Sequence, residues 1–202
     1  MRIDIVARTP AAPSAMTCRF EALEGKAPED GGARKPRPVR FVAERGRVGL
    51  LINAGAFKNL EPDEKRRVAG GAAVTHAAEA EAAHLIWELG RGIAVEHFRE
   101  LLWGALLASY RFDAFKGKKR RAPRAPARLT IVAGADAAPL RKEARRIEAI
   151  NEGVVLARDL VNTPANDLGP DARCTPGDDY ALAGKAWIIR KSALHGLDNL
   201  SC

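Results

Sequence analysis

An α/β fold built on a largely parallel sheet is what this sequence predicts, and three observations carry that expectation. Short apolar runs rich in Val, Ile and Leu alternate with longer segments whose apolar residues recur at steps of three and four. After an N-terminal β portion the order is strand, helix, strand, helix, strand, helix, which is the order of a layered α/β domain. The composition is globular, with 47% hydrophobic and 29% charged residues among 202, and a chain of this length can close a core without staples.

The elements follow in order. MRIDIVA and AMTCRFEAL, within residues 1–24, read as two strands. The stretch from Ala27 to Pro38 is rich in Pro, Gly and charge and reads as a surface loop. Arg47–Gly55, RVGLLINAG, is mostly apolar with turn residues after it, as a buried strand requires. Glu61-Pro62-Asp63-Glu64 is a helix start, with Pro in the first turn and acids at the positive end of the dipole. That helix is expected to run from Pro62 to Ala82, with Gly70-Gly71 weakening its middle by about 1 kcal/mol each against Ala. Ala83–Leu89 is a short strand ended by Gly90 and Gly92.

From Ala94 to Ser109, Phe98, Leu101, Leu102, Ala105 and Leu106 recur at helical spacing. Phe115–Ala127 is a basic loop containing Pro, and Arg128–Gly134 is another strand. A long helix then carries Leu140, Ala144, Ile147, Ile150, Val154, Ala157 and Val161 on one stripe. It ends before Pro164, because the residue preceding Pro avoids helical backbone. Past Pro170 the pattern is lost, and Ala186–Arg190 is the one candidate strand.

Composition and charge narrow the function. No run approaches the roughly 18 apolar residues of a membrane helix, and MRIDIVARTPAAPSAM has no apolar core of a signal peptide. Cys18, Cys174 and Cys202 are odd in number and far apart, which argues against a disulfide framework and fits a reducing cytoplasm. The net charge is +8. From Arg111 to Arg146 there are twelve basic residues against Asp113, Asp136 and Glu143, so this stretch holds the surplus. Such a patch attracts polyanions. Lys116, Lys118, Lys119, Arg120, Arg121, Arg124 and Arg128 are the candidate polyanion contacts, with Tyr110, Phe112 and Phe115 beside them to stack on bases. The alternative is a solvated loop.

Other candidates are weaker. His76, His84, His97 and His195 form no H-E-x-x-H and read as structural or exposed. The glycine pairs make no dinucleotide or phosphate-loop motif. Asp178-Asp179 are adjacent and point to different sides of any regular element, so they do not grip one metal together. Leu51–Ala56, LINAGA, is similar to the N-A-[AN] string of ADP-ribose binders, although a short Ala/Gly-rich string arises easily by coincidence.

Two segments, ASYRFDAFKGKK (Ala108–Lys119) and NEGVVLARDLVNTPANDLGP (Asn151–Pro170), resemble the leucyl aminopeptidase (cytosol aminopeptidase) family of metallopeptidases. The resemblance runs over Met1–Pro170. It implies a three-layer, macrodomain-like sandwich with a mixed, largely parallel sheet over residues 1–135. A long linker helix and the start of a catalytic domain would follow over 136–170, with an atypical tail over 171–202. Asn162-Thr163-Pro164-Ala165-Asn166 would fix the exit of that helix through side-chain bonds to nearby backbone.

In the family, two divalent metals, Zn or Mn, activate water against the peptide carbonyl. They are held by strings of the type G-K-G-[IV]-T-F-D-[ST]-G-G and N-T-D-A-E-G-R. Neither string occurs here, and Gly184-Lys185-Ala186 is not followed by T-F-D. The expectation is therefore a cytoplasmic, N-terminal part of a leucyl-aminopeptidase-like protein. It has no catalytic or metal-ligating residues and no cofactor of its own, is inactive alone, touches no membrane, and is not expected to form the family's hexamer. The alternative is a nucleic-acid-binding or assembly module using the basic 116–128 loop.

Overall fold

The computed structural model describes residues 1–12, 14–23, 37–44, 47–90, 92–116 and 123–164. The chain divides into two compact units, Met1–Ile147 and Glu148–Cys202.

The first unit holds a six-stranded sheet in the order β1-β6-β5-β2-β4-β3. Its strands are β1 (Arg2–Val6), β2 (Met16–Glu21), β3 (Val39–Glu44), β4 (Arg47–Asn53), β5 (His84–Glu88) and β6 (Arg128–Val132). All neighbours are parallel except β3, which runs antiparallel to β4. The mixed, largely parallel sheet is thus as expected. β3 is an addition to the strands the sequence predicts. Six residues alternating Val39, Phe41, Ala43 with Arg40 and Val42 give too short a periodic signal beside a loop.

The helices are α1 (Pro62–Glu79), α2 (Val95–Ser109) and α3 (Ala137–Asn162). α1 opens where the Pro and the acids indicate, and Glu64 accepts from the Glu61 backbone N–H at 3.2 Å. It ends three residues short of Ala82. Glu81 turns to a φ of 53°, and the Ala82 N–H reaches back to the Ala77 carbonyl at 2.9 Å. This satisfies a carbonyl that the helix end leaves bare.

Register explains the core. Ile5, Ile131, Trp87, Cys18 and Leu50 are successive partners across five strands. They face one side and are buried together with Ala69, Ala73 and Val74 of α1 and Phe98, Leu101 and Leu102 of α2. Leu140, Ala144 and Ile147 at the start of α3 join the same core.

The opposite face carries no helix of the described first unit. β1 and β2 are parallel, so residues 7–15 must return from the carboxyl edge of the sheet to its amino edge. The β4→β5 and β5→β6 crossovers move the other way along the sheet, so the right-handed rule sends the β1→β2 connection across the second face. Ile86 and Thr130 point to that face and are each 1% exposed.

Gly70-Gly71, which the sequence marks as a weak point, is where α1 and α2 meet most closely. A Cβ on Gly70 would lie 1.9 Å from the Leu101 carbonyl oxygen, and one on Gly104 would lie 1.8 Å from that of Arg67. Each helix thus offers a bare glycine to the backbone of the other. Arg67 then pairs with Glu100 across the same junction at 2.6 Å.

In the second unit the described helical residues carry the continuation of the apolar stripe. Ile150 is 42% and Val161 85% exposed. The remaining sequence expectations for residues 165–202, including the Ala186–Arg190 strand and the atypical tail, lie outside the described residues.

Candidate functional site

The seven candidate basic residues fall into three groups. Lys118, Lys119, Arg120 and Arg121 lie outside the described residues. Lys116 and Arg124 are exposed, and Lys116 approaches Asp113 at 3.7 Å. Arg128 stands at the first position of β6, opposite Arg2 and His84 in register, and its Nε donates to Asp4 at 2.8 Å. Of the described members, Lys116 and Arg128 thus each meet a carboxylate. Arg111, nearby, pairs with Asp113 at 2.7 Å and donates to the Pro123 carbonyl. It thereby ties together the two described ends of the basic segment. Phe112 and Phe115 pack on each other with centroids 5.7 Å apart.

The second sheet face bears a row of ion pairs that sequence reasoning did not assemble. Asp4 takes Arg128 at 2.8 Å and Arg2 at 3.2 Å. Arg19 pairs with Glu88 at 2.7 Å and Arg40 with Glu21 at 3.6 Å. The signal was the period-2 alternation in each strand, but only the strand order reveals which charges become neighbours.

This network predicts pH dependence. Partial burial pushes Asp4 upward, but its bonds and charge contacts with Arg128 and Arg2 outweigh this and hold its carboxyl below the ordinary value. His84, whose Nε2 lies 2.8 Å from the Thr130 hydroxyl, is held below its ordinary value by burial first and by the charge of Arg128 second. Both depressions favour the deprotonated form in the fold. The His84 contribution is complete above about pH 6.5 and is lost as pH falls below it; the Asp4 contribution is lost below about pH 4. The urea midpoint is expected to drop between about pH 7.5 and 5.5, and to drop less in His84→Gln. An equal drop in both proteins would refute the assignment to His84.

The other candidates resolve into structural roles. His76 contacts Glu79 at 2.8 Å on the surface of α1. His97 is half-buried on α2, and His195 lies outside the described residues. Among the described residues no three His, Cys, Asp or Glu stand together as a metal-binding group. Asn53 closes β4 before a single turn of 3-10 helix, Ala54–Ala56. It is 4% exposed, and its Oδ1 has no hydrogen-bond partner among the described residues. At the end of α3, Asn162 Nδ2 donates to the Arg158 carbonyl and Thr163 Oγ1 to that of Asp159, each at 2.7 Å. The motif there closes off a helix before Pro164.

No helix among the described residues is long and apolar enough to cross a membrane. No protein-family model matches the chain. Among solved structures it is similar to a mutant of tomato leucine aminopeptidase, with a TM-score of 0.61 and 16% identity, over 84% of this chain and 40% of that one. It is also similar to the bottromycin maturation enzyme BotP, solved in complex with Mn, with a TM-score of 0.54 and 26% identity over 79% of this chain and 34% of BotP. The fold is that of the N-terminal domain of leucine aminopeptidases.

Among curated proteins, a probable cytosol aminopeptidase of Allorhizobium ampelinum is 38% identical over 126 residues, covering 60% of this chain and 25% of that protein. One of Methylorubrum extorquens is 50% identical over 68 residues, 34% of this chain and 14% of the relative. Over about 60% of its length the chain is therefore a relative of the cytosol aminopeptidases. It spans about a quarter of the length of the first of these relatives.

Proposed function

We propose that this chain is the N-terminal module of a leucyl-aminopeptidase-like protein and does not hydrolyse peptides by itself. The observation that carries the reading is the match to about a quarter of a cytosol aminopeptidase by a sequence that lacks both metal-binding strings of the family. The family reaction is two-metal hydrolytic release of N-terminal amino acids, and the two metals, Zn or Mn, supply an activated water and a Lewis acid. Two metals need several converging carboxylate or neutral ligands. The described residues offer no such group and do not fit the two metals. The names of the relatives support a cytoplasmic location.

The test is leucine-p-nitroanilide hydrolysis by the purified chain with added Mn²⁺ or Zn²⁺, together with metal analysis after dialysis. The expected result is no turnover above the metal-only control and no retained metal. Turnover with about two metals held per chain would overturn the reading, because a two-metal site would then exist in it.

A further inference from the structure

We propose that the outer edge of β3 is a docking strip for an extended acidic peptide, which adds to the six-stranded sheet as a further strand. β3 stands last in the strand order, and among the described residues it pairs with β4 alone. The hydrogen-bond phase of that pair fixes what the other side offers. The Asn53 N–H donates to the Pro38 carbonyl at 2.9 Å, and Val39 stands opposite Ile52 in antiparallel register. Opposed residues in such a ladder alternate between bonded and unbonded pairs. Arg40 and Val42 therefore turn their backbone groups to β4. Val39, Phe41 and Ala43 turn N–H and C=O outward, in a row that an incoming chain can match.

The side chains beside that row define the guest. Phe41 and Ala43 lie on the helix-covered face, opposite Leu50 and Val48 in register. Phe41 meets His76 of α1 edge-on at 6.2 Å, yet it is 54% exposed, as is Val48. Ala43 is exposed as well. Apolar residues at alternate positions of an added strand would cover this row. On the other face the strand would lie beside Arg40, whose side chain is 41% exposed and meets Glu21 at 3.6 Å. Arg37, just before β3, is exposed, and both charged residues within 37–43 are basic. A carboxylate between the apolar residues of the guest complements that charge, whereas a lysine there is repelled by it. The guest is thus an extended chain of alternating apolar and acidic residues. Its recognition involves no reacting group and is independent of peptide hydrolysis.

The experiment is fluorescence anisotropy of the 202-residue chain with a labelled peptide of alternating valine and glutamate, beside the same peptide with lysine in place of glutamate. The glutamate peptide is expected to bind, and the lysine peptide to bind about tenfold less tightly or worse. Ala43→Pro removes one outward N–H and spares the β4 ladder, at a position where an edge strand tolerates proline. It is expected to lower affinity for the glutamate peptide about tenfold, with a urea midpoint close to the parent's. Val42→Pro, which cuts the ladder itself, should lower that midpoint. Arg40→Glu is expected to reverse the preference between the two peptides, and it keeps the test decisive if the proline variant does not fold. The proposal is overturned by no binding of the glutamate peptide, by equal binding of both peptides, or by binding that a folded Ala43→Pro protein retains in full. A dimer seen in sedimentation, broken by Ala43→Pro and accompanied by no peptide binding, would also overturn it, since the occupant would then be a second copy of the chain.

Discussion

Gly70→Ala is expected to destabilise the protein by about 3 kcal/mol or more, read as the urea unfolding free energy. In an exposed helix the same change would stabilise by about 1 kcal/mol, since Ala restricts the unfolded chain and favours helix. Here the new methyl would sit 1.9 Å from the Leu101 carbonyl oxygen, and that atom belongs to helix backbone, so no side chain can swing aside. The two helices would have to separate, opening the core where Leu101 and Leu102 are fully buried. Gly104→Ala should behave alike, its methyl lying 1.8 Å from the Arg67 carbonyl. Gly71→Ala should be far milder, with its nearest contact at 3.3 Å. Gly153→Ala, with nothing within 4 Å, should stabilise by about 0.5–1 kcal/mol. A Gly70→Ala protein as stable as the parent would show that the helices do not cross this closely.

Trp87→Ala is expected to lose about 3–5 kcal/mol, whereas Trp87→Phe should change stability by about 1 kcal/mol or less. Trp87 is completely buried in β5, between Cys18 of β2 and Ile131 of β6 in register. Phe20 meets it edge-on at 5.0 Å. Removing the ring would leave a void where neighbouring strands and α2 cannot collapse together. The indole Nε1, however, has no hydrogen-bond partner among the described residues, and a buried unmet donor costs about 1–3 kcal/mol. Phenylalanine leaves a small gap but removes that donor, so the two effects offset. Urea titrations of the two variants decide it. A Phe variant as unstable as the Ala variant would mean that the indole N–H is satisfied after all.

Much of this fold was legible because its helices and central strands are governed by local rules. Pro62 and the acids after it located α1, the spacing of Phe98, Leu101 and Ala105 located α2, and Pro164 located the end of α3. What the sequence could not reveal depends on neighbours distant along the chain. Gly70 and Gly104 read as flaws when each helix is taken alone, and become the contact point once the helices cross. β3 was invisible because an edge strand of six residues beside a Pro-rich loop needs the β4 ladder to define it. The charge at 111–146 was evident, but composition alone could not separate Arg128, held by Asp4, from the outward-facing cations of α3. The basic loop drew attention by density, whereas burial of Leu140 and Ile147 sets which side of α3 meets solvent.

The pairing of the first strand with the last has a kinetic consequence. The Arg128–Asp4 contact joins positions 124 residues apart, and among the described residues β1 pairs with β6 alone. As the chain leaves the ribosome, β1 must therefore wait, unpaired, until β6 has been synthesised. Loop closure over that distance is slow relative to forming α1 and α2, whose junction is local by comparison. The central strands and two helices can thus condense first, with β1 docking last as the final seam of the sheet. Any chain ending before Arg128 would keep β1 as a loose, strand-forming tail, a species prone to pair with other nascent chains instead.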